Sequence, residues 1–313
     1  MSSLNTNISA MTALQSLNKT NAALETTQKR ISTGYKVNSA EDNAAYWSIA
    51  TTMRSDNSAL STVKDALGLG AATIDVAYTA TNSAIDVAKE IKNKLVAARQ
   101  PGVDRTKIQS ELTELQNQLK SIGDSAVFSG QNWLSTDSSA AGYNASKSIV
   151  ASFTRSSAAA VSIGTISVNT AGTKLYDAGA GATEVGIIDG LRDTTGAIAA
   201  TGFSVAALSI SALTDSTADL TTLESYISGT DKAISEMTTS ASRLGATKQR
   251  VSLQKDFVGA LMDAVDRGIS TLVDADMTEE STKLQALQVQ QQLGIQALSI
   301  ANQQGQSILS LFK

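Results

Sequence analysis

Residues 284–312 read LQALQVQQQLGIQALSIANQQGQSILSLF, from Leu284 to Phe312. The stretch holds no charged residue and nine glutamines. A helix in lipid has no partners for that many side-chain amides, so the stretch is no membrane anchor. Leu284, Leu287, Ile295, Leu298 and Ile308 form one apolar seam at three- and four-residue spacing. Val289, Leu293, Ile300 and Leu309 form a second seam on another side of the same helix, and Phe312 closes the run. A helix with two seams needs partners on two sides.

The front of the chain repeats the pattern. Met1 to Asn18 carries no Asp, Glu, Lys or Arg, although such residues make up 17% of the sequence. Chain ends are ordinarily exposed, frayed and polar, so amphipathic, charge-free ends imply burial by something outside the monomer's own core. Leu4, Ile8, Met11, Leu14, Leu17, Leu24 and Ile31 recur at helical spacing and predict a helix from Asn5 to Thr33, closed by Gly34.

Two further long helices follow from heptad phasing. After an irregular spacer, Ser39 or Asp42 is the expected cap of a helix from Asn43 to Arg99. One column of that helix reads Met53, Leu60, Leu67, Ile74, Thr81, Ala88, Leu95, and the other Ile49, Asp56, Val63, Gly70, Ala77, Ala84, Ile91. Gln100-Pro101-Gly102 breaks the chain at its one proline, and a shorter helix carries Ile108, Leu112, Leu115, Leu119 and Ile122. In the back half Leu223, Thr230, Met237, Leu244, Val251, Val258, Val265 and Leu272 mark another long helix, and 274–278 is a second spacer.

The order is a palindrome: short helix, spacer, long helix, middle, long helix, spacer, short helix. The expected fold class is mainly α: a long antiparallel coiled-coil rod built from both halves, with a small β-rich inserted domain. The expected domains are 1–40 with 278–313, a terminal helix pair; 41–134 with 216–277, a long-helix bundle; and 135–215, a small surface domain. In that last segment Ile149, Ala151 and Phe153, then Val161, Ile163, Ile166 and Val168, alternate as strands, with Gly164 the expected bulge.

Composition removes whole classes of function. A net charge of −4 without a Lys/Arg cluster gives no footprint for nucleic acid. The absence of Cys and His removes disulfides, thiolate chemistry and the commonest general base and metal ligand, and no cofactor or enzyme motif is present. The N-terminus lacks the features of a cleaved secretory signal, which implies either cytoplasmic residence or export without a leader. Asp274, Asp276, Glu279 and Glu280 read as helix-cap and first-turn charges, and Gly68 and Gly70 as packing or bending points. The sequon at Asn144 reads as chance in a Ser/Thr-rich chain. A membrane-surface helix would need a basic polar face, and these faces are Gln, Asn and Ser. The ends could pack on each other within a monomer, but that closes one seam each. Burial by further copies of the chain closes both, and head-to-tail contacts that do not close give a helical filament.

The segment Lys29-Arg30-Ile31-Ser32-Thr33-Gly34-Tyr35-Lys36-Val37-Asn38-Ser39-Ala40-Glu41-Asp42-Asn43-Ala44-Ala45 resembles bacterial flagellin. So do the start LNTNISAMTAL, the run Leu244-Gly245-Ala246-Thr247-Lys248-Gln249-Arg250-Val251, Val273-Asp274-Ala275-Asp276-Met277 and the final QVQQQLGIQALSIANQQGQSILSLF. The run DNAAYWSIATTMRSDN is similar to alphaproteobacterial, especially rhizobial, members. The resemblance implies a secreted subunit that passes unfolded through the flagellar export channel and polymerises under a cap into the motility filament. Its implied partners are itself, other flagellins, an export chaperone, and cap and junction proteins, with no nucleic acid and no membrane. Hook-filament junction proteins share these ends and are the alternative reading. The resemblance also places an immune-receptor segment at Lys29, Arg30, Asp42 and Asn43, with Ile91 and Glu111 matching a second receptor site. Asn43, Tyr46, Trp47 and Val87 depart from the recognised pattern, which implies weak recognition.

Overall fold

The computed structural model describes residues 7–156, 160–179 and 185–310, with 304–310 described by backbone alone. In chain order the elements are α1 (Ile8–Thr33), α2 (Ala44–Ala98), α3 (Arg105–Ser125), β1 (Val127–Phe128), β2 (Gln131–Asn132), β3 (Ser135–Thr136), β4 (Ser146–Arg155), β5 (Val161–Asn169), β6 (Tyr176–Asp177), α4 (Thr217–Val273) and α5 (Met277–Ser310). Helix makes up 64% of the chain, so the fold is mainly α. It divides into two compact units, Met1–Ser58 with Met262–Lys313, and Ala59–Leu261. α2 and α4 each contribute to both.

In the unit 59–261, heptad phasing sets the core. Leu60, Leu67, Ile74, Thr81, Ala88 and Leu95 of one α2 column are buried, as are Val63, Ala77, Ala84 and Ile91 of the other. They meet Leu223, Thr230, Met237, Leu244, Val251 and Val258 of α4, all buried. The pairing is antiparallel and its register is written on the surface: Asp75 pairs with Lys248, Lys92 with Asp231 at 2.6 Å, and Arg99 with Glu224 at 2.6 Å. Each step along α2 is matched by an equal step back along α4. The turn at Pro101-Gly102 returns the chain into α3, whose first N–H groups, on Thr106 and Lys107, donate to the cap Asp104.

The stretch between α3 and α4 is fastened to these helices by side chains. β4 and β5 form an antiparallel hairpin whose register shifts between Val150 and Ser152. The extra residue is therefore Ala151 on β4, not Gly164, which lies opposite. A Cβ at 164 would collide with the Ser152 hydroxyl, so a larger residue there needs that side chain to turn away. Ile149 and Ala151 of β4 and Ile166 and Val168 of β5 are buried, whereas Val161 and Ile163, of the other parity along β5, fall on its opposite face and are exposed. Gln254 Nε2 donates to the Ala151 carbonyl at 2.9 Å, and Gln116 Nε2 to those of Val205 and Leu208 at 3.1 Å each. Arg192, fully buried, donates to the Ile187 and Gly196 carbonyls and to Glu236 Oε2 at 2.6 Å. One guanidinium thus ties a loop to α4. Gly70 is a packing point, as expected, since a Cβ there would lie 2.5 Å from Ile149 Cγ2.

In the other unit the two spacers pair with each other. Lys36 N–H donates to the Val273 carbonyl at 2.7 Å and Ala275 N–H to that of Gly34 at 2.9 Å, around a bridge between Tyr35 and Asp274. Beneath them Val37, Ala50, Ile269 and Val273 form a small core, flanked by Met53, Val265 and Leu272. Neither Ser39 nor Asp42 caps α2. Asn43 does, its Oδ1 accepting the Tyr46 N–H at 3.1 Å. Asp42 instead folds the spacer, accepting the N–H groups of Asn38 and Ser39, and these hold its carboxyl below the usual range.

Candidate assembly interface on the terminal helices

α1 begins at Ile8 because Asn7 caps it: Oδ1 accepts the Ala10 N–H at 3.0 Å while Nδ2 donates to the Ala301 carbonyl of α5 at 2.9 Å. It ends at Gly34, whose φ of 75° closes the helix in the left-handed region. α5 starts on Asp276, which accepts from Thr278 and Glu279. The two helices run antiparallel. Gln291 Nε2 donates to Asn21 Oδ1 at 2.8 Å, and Arg30 Nη1 reaches Glu280 Oε1 at 2.9 Å. Gly294 lets α1 approach, since a Cβ there would stand 3.1 Å from Leu17 Cδ1.

This pairing sorts the apolar residues of both helices. Leu17, Leu24 and Ile31 of α1 turn toward α5 and are half-buried, around Thr27, which is buried. Leu284, Leu287 and Leu298 of α5 turn inward with Ala301. Ile8, Met11 and Leu14 lie on the opposite side of α1, and Val289, Leu293 and Ile300 on the opposite side of α5, all exposed. Ile295, read from the sequence as part of the first seam, is exposed as well, at the flank of the closed face. Leu4, Phe312 and the side chains of Ile308 and Leu309 lie outside the described residues. Both helices therefore close one face within the chain and leave a second, uncharged apolar face open.

The six receptor-segment residues have local tasks. Lys29 is exposed, Arg30 is ion-paired, Asp42 shapes the spacer and Asn43 caps α2. Ile91 is fully buried in the α2–α4 core, and Glu111 pairs with Lys94 at 2.5 Å. Among the described residues no helix is long and apolar enough to cross a membrane, and no cluster of three or more Asp or Glu is placed to hold a metal ion.

A helix pair joined from the two chain ends, with one face closed and the other open, defines the class: a helical structural subunit. The N-terminal helical region of bacterial flagellin matches residues 4–139 and the C-terminal helical region matches residues 227–312. The chain is 51% identical to flagellin C of Rhizobium meliloti (strain 1021) over 290 residues, 90% of each chain. It is 43% identical to flagellin A of the same strain and 42% identical to a flagellin of Brucella melitensis biotype 1, each along 100% of both chains. The chain belongs to the bacterial flagellin family. It is a structural subunit of the extracellular flagellar filament and assembles with copies of itself.

Proposed function

We propose that the open faces of α1 and α5 are the surfaces through which the subunit polymerises. The observation that carries this reading is the split of each terminal helix into a closed seam and an exposed one, within stretches that avoid charge. Covering an exposed Leu, Ile, Val or Met side chain contributes about 1.5–3 kcal/mol in transfer free energy. Six such residues, Ile8, Met11, Leu14, Val289, Leu293 and Ile300, wait on the open faces, and Ile295 is exposed at the flank. Ionic side chains there would oppose that burial.

In this reading residues 1–40 with 278–313 line the inside of the filament, 41–134 with 216–277 form the surrounding layer, and 135–215 face solvent. Other flagellins with the same ends co-assemble through the same faces, and the export chaperone, cap and junction proteins engage them too. The subunit has no enzymatic role. Leu14→Asp and Leu293→Asp, made together, test the assignment. The variant is expected to keep the wild-type helical circular dichroism and to yield no sedimentable polymer; wild-type polymer yields would overturn the reading.

A further inference from the structure

Met11 stands on the open face of α1, 63% exposed, with Ile8 and Leu14 one turn to either side. The other described methionines are placed differently. Met237 is fully buried, Met53 packs on the spacer core, Met262 is half-buried, and Met277 is exposed in the first turn of α5 beside Thr278 and Glu279. Among the described residues two thioethers are thus exposed, one within an apolar face and one within a polar turn.

We propose that Met11 is a modification site at which a two-electron oxidant of the peroxide class switches off the subunit's ability to polymerise. The sulfur lone pair attacks one peroxide oxygen to form an S–O bond, the O–O bond breaks, and the hydroxide that leaves takes the proton of the new S–OH group to become water. One thioether is oxidised to a sulfoxide and one peroxide is reduced. The sulfoxide oxygen is a strong acceptor. Ile8 and Leu14 beside it offer no side-chain donor, and the amides of Gln15 and Asn18, which line the same hollow, are covered with it in the polymer, so burying the sulfoxide costs a desolvation that the thioether does not. At Met277 the polar surroundings make the same oxidation harmless. The inference rests on the open face of α1 being a polymer contact.

The test uses full-length wild type, Met11→Leu and Met277→Leu, each treated as free subunits with hydrogen peroxide. Tandem mass spectrometry locates the added oxygen, and sedimentation gives the subunit concentration needed for polymerisation. Leucine conserves volume without the sulfur. Oxidised wild type and Met277→Leu are expected to need about tenfold more subunit than their untreated forms. Met11→Leu is expected to polymerise alike before and after treatment, and methionine sulfoxide reductase to restore the wild type. Normal polymerisation of wild type carrying Met11 sulfoxide would overturn the proposal, as would equal sensitivity of Met11→Leu. An untreated Leu14→Asp chain that polymerises normally would sink the interface reading itself, which keeps the two failures apart.

Discussion

Arg30 on α1 and Glu280 on α5 meet at 2.9 Å, and Glu280 is buried while Arg30 is half-buried. Removing the cation leaves a buried carboxylate without its counter-charge, which costs more than the pair contributes when intact. Arg30→Met is expected to destabilise the terminal helix pair by about 2–3 kcal/mol, seen as faster protease cleavage within α1 and α5. Adding Glu280→Gln should recover part of that loss. A single variant as resistant as wild type would show that the pair is inert.

Gly68 and Gly70 lie two residues apart on α2 and should respond oppositely to alanine. At 70 the new methyl would overlap Ile149, and such overpacking costs about 1–3 kcal/mol. At 68 nothing lies within 4 Å, so alanine gains about 0.5–1 kcal/mol of helix propensity. Thermal melting of the two variants is expected to bracket the wild type; the same sign for both would contradict the packing described.

Asp177 sets an acid limit on the unit 59–261. Burial pushes its carboxyl up, but Lys174 Nζ at 2.6 Å, with donors from Ser138 and Gly179, outweighs this and holds it at about 2. A carboxyl held below its ordinary 3.8 stabilises the fold above that pH and loses the contribution as pH falls toward 2. Asp177→Asn is expected to be less stable at neutral pH and to show a flatter loss between pH 4 and 2. Asp189, pushed up chiefly by burial, has the opposite sign, its contribution fading as pH rises above 3.8.

The pairs Asp75–Lys248, Lys92–Asp231 and Arg99–Glu224 are exposed, so each contributes about 0.2–1 kcal/mol. Lys92→Glu is expected to cost about that much in denaturant unfolding at low salt, to recover when Asp231→Lys is added, and to cost nothing near 1 M salt. Failure of the exchange to recover would argue against the antiparallel register.

Much of this was legible in the sequence because heptad spacing is a direct consequence of helix geometry. Leu67, Ile74 and Leu95 were placed in the α2 core by spacing alone, and there they are. The same columns contained Ile91, so the pattern already assigned it to the interior. Ile295 keeps the rhythm of the first seam yet is exposed, because a three- and four-residue rhythm drifts around a long helix, and spacing cannot say which residues of a seam the partner covers. The cap fell on Asn43 rather than Asp42 because both residue types accept N–H bonds, and the tie was broken by Asp42 serving the Asn38 and Ser39 amides. Arg192 gave no signal at all. A lone arginine in a Gly- and Thr-rich stretch reads as surface, and its burial depends on Glu236, 44 residues away.

The unit that carries the terminal helices joins residues that lie far apart in the chain. Asn7 holds Ala301 across 294 positions, Arg30 holds Glu280 across 250, and Lys36 holds Thr271 across 235. Neither extremity can complete its half in isolation. Whichever end is made first therefore waits for the other, and the paired surface exists only once the whole chain is present.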